Sequence, residues 1–458
     1  MKLTYGVQDK PGFGKVLVFA LQQLLAILAA TIAVPAIIGN GMSQSAALFG
    51  AGIGTLVYLL FTKFKSPVFL GSSFAFIGSM FSAFGGAASM AAGYVGLIIG
   101  ALGAGLVYVV IAIIVKIAGV KWINFLMPAV VIGPTVAIIG LSLAGNAVGD
   151  LATGNVTHIE QVWQLSETNE AVLADVAVQN ASPYLCILCG LITLVVTMVC
   201  SVYGKKMLKM IPFIIGIVSG YIVAAALTVI GNAADIPALQ IINFAAFRNM
   251  QWLPDFTFVK AFDGLKDITG EYIVTVLVAY VPVAFVVFAE HIAAHKNLSS
   301  IIDHELLEDP GLHRTLLGDG VGSIAGAFFG GCPNTTYGES VGCVAISGNA
   351  SVVTILTTAI MCLVAAFFAP FTTFLSTIPS CVMGGVCVAL YGFIAVSGLK
   401  MIQSVDLGNN KNLFVVSVIL ILGIGGMTLT FGNVTITEVA CALILGIITN
   451  LILKHGKD

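Results

Sequence analysis

Charge is what this chain has least of. Only 9% of its 458 residues are Asp, Glu, Lys or Arg, against about a quarter in a water-soluble domain, so a soluble globular surface is excluded. The 19 basic and 21 acidic residues nearly cancel, to −2. The few Lys and Arg are spread thinly, which argues against nucleic acid as a partner. The nine cysteines lie in or beside apolar segments rather than in polar loops, so no disulfide framework follows. Cys186 and Cys189 have the spacing of a metal pair, but no second pair or nearby His completes a site, and they read as packing residues. What is abundant is apolar: 59% of the chain is hydrophobic. No stretch is long enough to form a separate soluble domain, and residues 1–458 read as one polytopic transmembrane domain.

A bilayer core of about 30 Å needs roughly 20 helical residues. On that ruler fourteen spans are expected, near 15–38, 44–62, 67–85, 91–116, 122–144, 182–203, 209–231, 270–295, 313–331, 333–349, 351–370, 377–398, 412–431 and 434–453. The first follows Lys2, Lys10 and Lys15 and is too long for a signal-peptide core, so it is expected to stay. Lys and Arg accumulate on cytoplasmic ends. With both termini inside, every basic residue except Arg248, Lys260 and Lys266 falls in the cytoplasm, Lys121, Lys206, Lys454 and Lys457 included. The outer loop 145–181 carries Asp150, Glu160, Glu167, Glu170 and Asp175 and no Lys or Arg.

A faint internal repeat is present. Pro67 stands 266 residues before Pro333 and Gly71 stands 267 before Gly338, and Pro128 with Gly133 matches Pro379 with Gly384. Two halves of seven spans must be inverted relative to each other. Inverted repeats with Gly/Pro-interrupted segments at corresponding positions point to a secondary transporter with its site at mid-membrane. The two interrupted spans are 67–85 and 333–349. Pro and Gly disfavour continuous helix there, and Thr335-Thr336-Tyr337 favours extended backbone. Two short extended segments from inverted halves can pair and leave helix N-termini facing a ligand.

Carboxylates inside spans are conspicuous, because a charge at the bilayer centre costs at least about 2.5 kcal/mol. Glu290 lies deep in the eighth span and Glu339 in the broken tenth. Each is placed to accept a hydrogen bond from a ligand or to exchange a proton. Asp319 and Glu438, nearer span ends, read as structural or interfacial. His291 points about 100° away from Glu290 on a helix, and His295 lies near the cytoplasmic end; either is a relay or a packed histidine. The stretch Asp303-His304-Glu305 to Arg314 reads as a solvated connector rather than a metal site. Two carboxylates with several backbone N–H donors suit a small planar ligand bearing ring N–H and C=O groups, and uracil fits that inventory. Phe74, Tyr337 or Tyr391 would pack on its face.

At these residues the chain resembles the nucleobase–ascorbate transporter (nucleobase:cation symporter-2) family, most closely its bacterial uracil-transporting members. The matching pieces are Leu21-Gln22-Gln23 with Ala30-Thr31 and Pro35, Leu70 through Phe76, Ala289-Glu290-His291-Ile292, Asp309 through Arg314, Pro333 through Glu339, and Val382 through Gly385 with Tyr391-Gly392. The resemblance implies fourteen spans in two inverted sevens, with spans 1–4 and 8–11 as a core domain and spans 5–7 and 12–14 as a gate domain. It implies that Glu290 and Glu339 hydrogen-bond the base, that Phe74 and Gly338 offer backbone amides, and that Ala30, Tyr337 and Tyr391 line the pocket. Gln23 and Ala294 stand where relatives often carry His, or at the second position His or Asp. Glu290 is therefore the preferred proton-coupling residue.

The expectation is a uracil:proton symporter of the plasma membrane, not an enzyme, with no cofactor beyond the coupling proton. Its partners would be the nucleobase and membrane lipid, with a homodimer left open. A purine permease of the same fold, for xanthine or urate, is the nearest rival. An anion channel or exchanger would want fixed positive charge in the site, and no Lys or Arg lies mid-span. An intramembrane enzyme would want a metal-binding His pair or a Ser/His dyad.

Overall fold

The computed structural model describes residues 3–453 apart from 120, 121, 123, 124, 126, 166–170, 206, 432 and 433. Lys2, Lys121, Lys206, Lys454 and Lys457, assigned above to the cytoplasm, and Glu167 and Glu170, assigned to an outer loop, lie outside the described residues. The chain divides into two compact units.

The larger unit comprises residues 1–143, 252–372 and 390–458. It opens with α1 (Phe13–Ile38) and α2 (Gln44–Phe61), then a short strand β1 (Leu70–Ser72), a 3-10 turn at Phe74–Phe76 and the half-length helix α3 (Ile77–Gly85). Next come α4 (Met90–Ala118) and α5 (Ala129–Ser142). The smaller unit, residues 144–251 and 373–389, holds α6 (Ala144–Leu151), the antiparallel strands β2 (Thr157–Leu165) and β3 (Ala171–Gln179), α7 (Pro183–Tyr203) and α8 (Pro212–Ala234). In the second half of the sequence follow α9 (Gly270–Ile302), α10 (Leu312–Gly330), β4 (Asn334–Thr336), α11 (Gly338–Ser347), α12 (Val352–Ala366), α13 (Ala369–Thr377), α14 (Ser380–Ile402), α15 (Asn410–Ile424) and α16 (Glu438–Leu453), with a small hairpin, β5 (Leu429–Phe431) and β6 (Val434–Ile436), before the last helix.

Eight of these helical stretches are long and apolar enough to cross a membrane by themselves, or nine if α12 and α13, bent by 82°, count as one span. The protein is thus a mostly helical multi-pass membrane protein. Within the apolar run expected at 122–144, a helix over Ala129–Ser142 follows Pro128 and continues through α6 to Leu151. The stretch expected as an outer loop from residue 145 carries the end of that helix and the β2–β3 hairpin. Ile159, Trp163 and Leu165 at odd positions, with His158, Glu160 and Gln164 between, give a partial period of two that fits a strand, broken at Gln161 and Val162.

Close helix packing positions the site. Helix α10 carries Gly318, Gly322, Gly326 and Gly330, one every fourth residue, and this stripe lies on α2, where Gly50 and Gly54 face it. Small residues at this spacing let two backbones approach, the usual way helices associate where lipid removes the hydrophobic driving force. Asn334 fills the gap between Gly54 and Gly326 and donates its side-chain amide to the carbonyl of Gly50 at 2.9 Å. This fixes β4 against α2 and α10.

Candidate functional site

Strands β1 and β4 pair antiparallel, with Leu70 opposite Thr336, Gly71 opposite Thr335 and Ser72 opposite Asn334. The exchange extends one residue on each side. Ser73 N–H donates to Pro333 O at 2.9 Å, and Tyr337 N–H donates to Phe69 O at 3.2 Å. Unpaired backbone cannot persist inside a membrane, and here each broken segment supplies the partners the other has lost. Thr55 completes the pairing on the β1 side: its hydroxyl accepts from Leu70 N–H at 2.9 Å and donates to Leu70 O at 3.2 Å. Gly71 is needed because the ring of Tyr337 lies directly on it, where a Cβ would collide.

Each strand runs into a helix start. After β4, Tyr337 is the N-cap of α11, and Gly338 and Glu339 form its first turn. The first N–H groups of a helix have no intrahelical acceptors, and the helix dipole favours negative or acceptor groups there. Gly338 is exposed, with open space where a side chain would stand. Glu290, on α9, and Glu339 are both partly accessible in otherwise buried surroundings. Glu290 is close enough to Asp319 and Glu339 for their charges to interact. Carboxyls so placed repel one another when ionised, and a proton relieves that repulsion.

The other expected site residues are apolar or aromatic. Phe74 packs edge to face with Tyr391, ring centroids 5.6 Å apart. Ala30 is buried in α1, the helix that lies against β1 and α11. Tyr337 is also buried, and its hydroxyl donates to Ser72 O at 2.8 Å. Its polar end is committed to β1, so it caps α11 and cushions Gly71. Gln23 donates its amide to the hydroxyl of Ser340 in α11, tying α1 to the helix that carries Glu339.

A polar cluster beneath β4 was not legible as such in the sequence. Asp319, eighth residue of the 19-residue α10, is fully buried and contacts His291 Nδ1 at 2.6 Å. It also accepts from the hydroxyl of Thr336 in β4 at 3.2 Å. The other nitrogen of His291 lies 3.0 Å from the hydroxyl of Thr315, which is also 3.0 Å from Leu312 O. With His291 neutral, Nδ1–H donates to the Asp319 carboxylate and Nε2 accepts from the Thr315 hydroxyl. One further proton on the pair makes Nε2–H a donor to Thr315, whose hydroxyl then donates to Leu312 O. His295 is set differently. Its Nδ1 faces His291 O at 2.8 Å and so carries the hydrogen; Nε2 then accepts from the Tyr58 hydroxyl at 2.7 Å, which in turn accepts from Ser66 at 2.8 Å. Asp319 lies between Gly318 and Gly320, and a carboxylate embedded in a glycine stripe was the one available signal. Among the described residues no group of His, Cys, Asp or Glu is arranged to hold a metal ion.

A family model described as Permease family matches residues 14–431. The uracil permease of Bacillus caldolyticus is 38% identical over 455 residues, covering 99% of this chain and 95% of the relative. The uracil permease of Bacillus subtilis (strain 168) is 36% identical over 461 aligned positions, covering 100% and 97%. The solved transmembrane domain of the cyanobacterium bicarbonate transporter BicA matches with a TM-score of 0.58 at 15% identity, covering 97% of this chain and 100% of that one. At that identity the likeness is one of fold.

Multiple apolar helices and two broken segments paired with each other, together with the family match and the permease relatives, define a membrane transport protein rather than an enzyme. The chain belongs to the Permease family, the nucleobase–ascorbate transporters whose motifs it carries.

Proposed function

We propose that the chain imports uracil across the plasma membrane by proton symport. The observation that carries this reading is the β1–β4 pair: it leaves Gly338 and Glu339 at an open helix start beside Glu290. Glu290 and Glu339 accept the two ring N–H groups, backbone amides at Phe74 and Gly338 donate to the carbonyls, and Phe74, Tyr391, Ala30 and Tyr337 wall the ring. Uracil permeases at 38% and 36% identity over the whole chain support that choice of base. Glu290 is the coupling residue, taking a proton with the substrate and releasing it inside. The fourteen spans form two inverted sevens with both termini cytoplasmic, and the core (spans 1–4 and 8–11) moves against the gate (spans 5–7 and 12–14).

Uptake into proteoliposomes with an imposed inward proton gradient tests this. Wild-type protein is expected to accumulate uracil, with xanthine a poor competitor, whereas Glu290→Gln is expected not to accumulate it. Full proton-driven accumulation by Glu290→Gln would remove its coupling role, and strong competition by xanthine would move the substrate to a purine.

A further inference from the structure

A narrow cleft opens on the side of Phe74 where α3 meets α5 and α16. It is walled by Phe74, Gly78 and Ser79, by Ser142, and by Thr437 and Glu438. Most of its polar groups are already engaged. The Ser79 hydroxyl donates to Ala279 O at 2.6 Å and that of Ser142 to Ile139 O at 3.3 Å. Two are not. The Thr437 hydroxyl is buried without a hydrogen-bond partner, and no cation is paired with Glu438 among the described residues. A buried hydroxyl left unsatisfied is costly, so its persistence calls for an explanation. The carboxylate of Glu438 is aimed across the cleft, 3.5 Å from where a Cβ on Gly78 would stand.

Thr437 and Glu438 thus place an unpaired hydroxyl and a carboxylate without a paired cation among the described residues side by side, against an aromatic wall. That is, in miniature, the inventory proposed above for the uracil site, to which Phe74 is also assigned. We propose that this cleft is the mouth through which substrate reaches Glu290 and Glu339, and that Thr437 and Glu438 form a vestibular subsite. Its ligand is a neutral planar heterocycle with an N–H beside a C=O: Glu438 accepts the ring N–H and Thr437 donates to the neighbouring carbonyl. As it stands the cleft has room for about one water, so the subsite fills when α3 and α16 part. It rests on the uracil reading, and in the topology proposed above it faces outward.

Two experiments test it on the full-length protein in proteoliposomes. Glu438→Gln and the isosteric Thr437→Val are each expected to raise the KM for uracil uptake about tenfold, the loss of one hydrogen bond to a charged or buried group, with maximal rate unchanged. A merely structural role would change expression or thermal stability and leave KM alone. Gly78→Cys, whose new side chain meets only ordinary contact distances, is then treated with a membrane-impermeant methanethiosulfonate from outside, with wild type as control. Loss of uptake that uracil slows supports the mouth. Normal KM in both variants, or uptake undiminished after exposure of Gly78→Cys to the reagent, overturns it. Absence of uracil uptake by the wild type would instead sink the uracil reading itself.

Discussion

The two broken segments share a backbone plan and differ in chemistry. Leu70–Ser72 and Asn334–Thr336 are three-residue strands that pair with each other, and each leads through one or two residues into a helical turn. Beyond β4 the side chains are polar and the helix start is open: Thr336 reaches Asp319, Glu339 sits in the first turn, and Gly338 has nothing over it. Beyond β1 they are Phe74, Ala75 and Phe76, all buried. The shared geometry solves a problem common to both, pairing backbone polar groups far from water. In the proposed binding mode this difference divides the work, with one half recognising hydrogen-bonding edges and the other a flat face.

That division can be broken most severely beneath β4. Asp319→Ala leaves His291 and Thr336 without their acceptor. Removing one member of a buried pair typically costs about 3–5 kcal/mol, so a large fall in thermal stability in detergent is expected. On the β1 side the matching support is Thr55. Thr55→Val removes two weaker hydrogen bonds, for which about 1–3 kcal/mol is expected. Equal losses at the two positions would erase the asymmetry.

Ligand binding sharpens the comparison further. Glu339→Gln replaces a charged acceptor, worth about 1.5–3 kcal/mol, so uracil affinity should fall roughly 10- to 100-fold. Phe74→Leu keeps bulk but loses the aromatic pair with Tyr391, worth about 0.5–1.5 kcal/mol, so the fall should be about two- to tenfold. Isothermal titration on purified variants ranks the two, and the reverse order would assign recognition to the aromatic half.

The smallest effect is expected where the connector before α10 meets the one before β1. Lys65 Nζ lies 2.8 Å from Asp309 on the surface, and this hydrogen bond holds the Asp309 carboxyl below the usual carboxylate range. A depressed folded pKa stabilises fully above the unfolded value, about 3.9, and the contribution fades as pH falls through the folded one. The melting temperature of Asp309→Asn should therefore lie slightly below wild type at pH 7, with the gap closing in acid.

The breaks themselves were legible. Pro67, Gly71, Pro333 and Gly338 mark where helix cannot continue, and threonines at 335 and 336 favour extended chain. The bend between α12 and α13 was not, because hydropathy registers how apolar a run is and not where it turns. Nor was the place of Asp319. Its distance along the chain from His291 carries no sign of contact, and only the close approach of α10 to its neighbours brings Thr336, Asp319 and His291 together. Nor could the sequence show that the Tyr337 hydroxyl donates to Ser72 O, since the two lie in opposite halves of the chain.

The central claim, that Glu290 and Glu339 at the paired breaks hold uracil, is tested most directly by equilibrium titration of uracil into purified wild-type, Glu290→Gln and Glu339→Gln protein at two pH values. The account predicts weaker binding in both variants, with the pH dependence lost in Glu290→Gln. Wild-type affinity in both variants would contradict it.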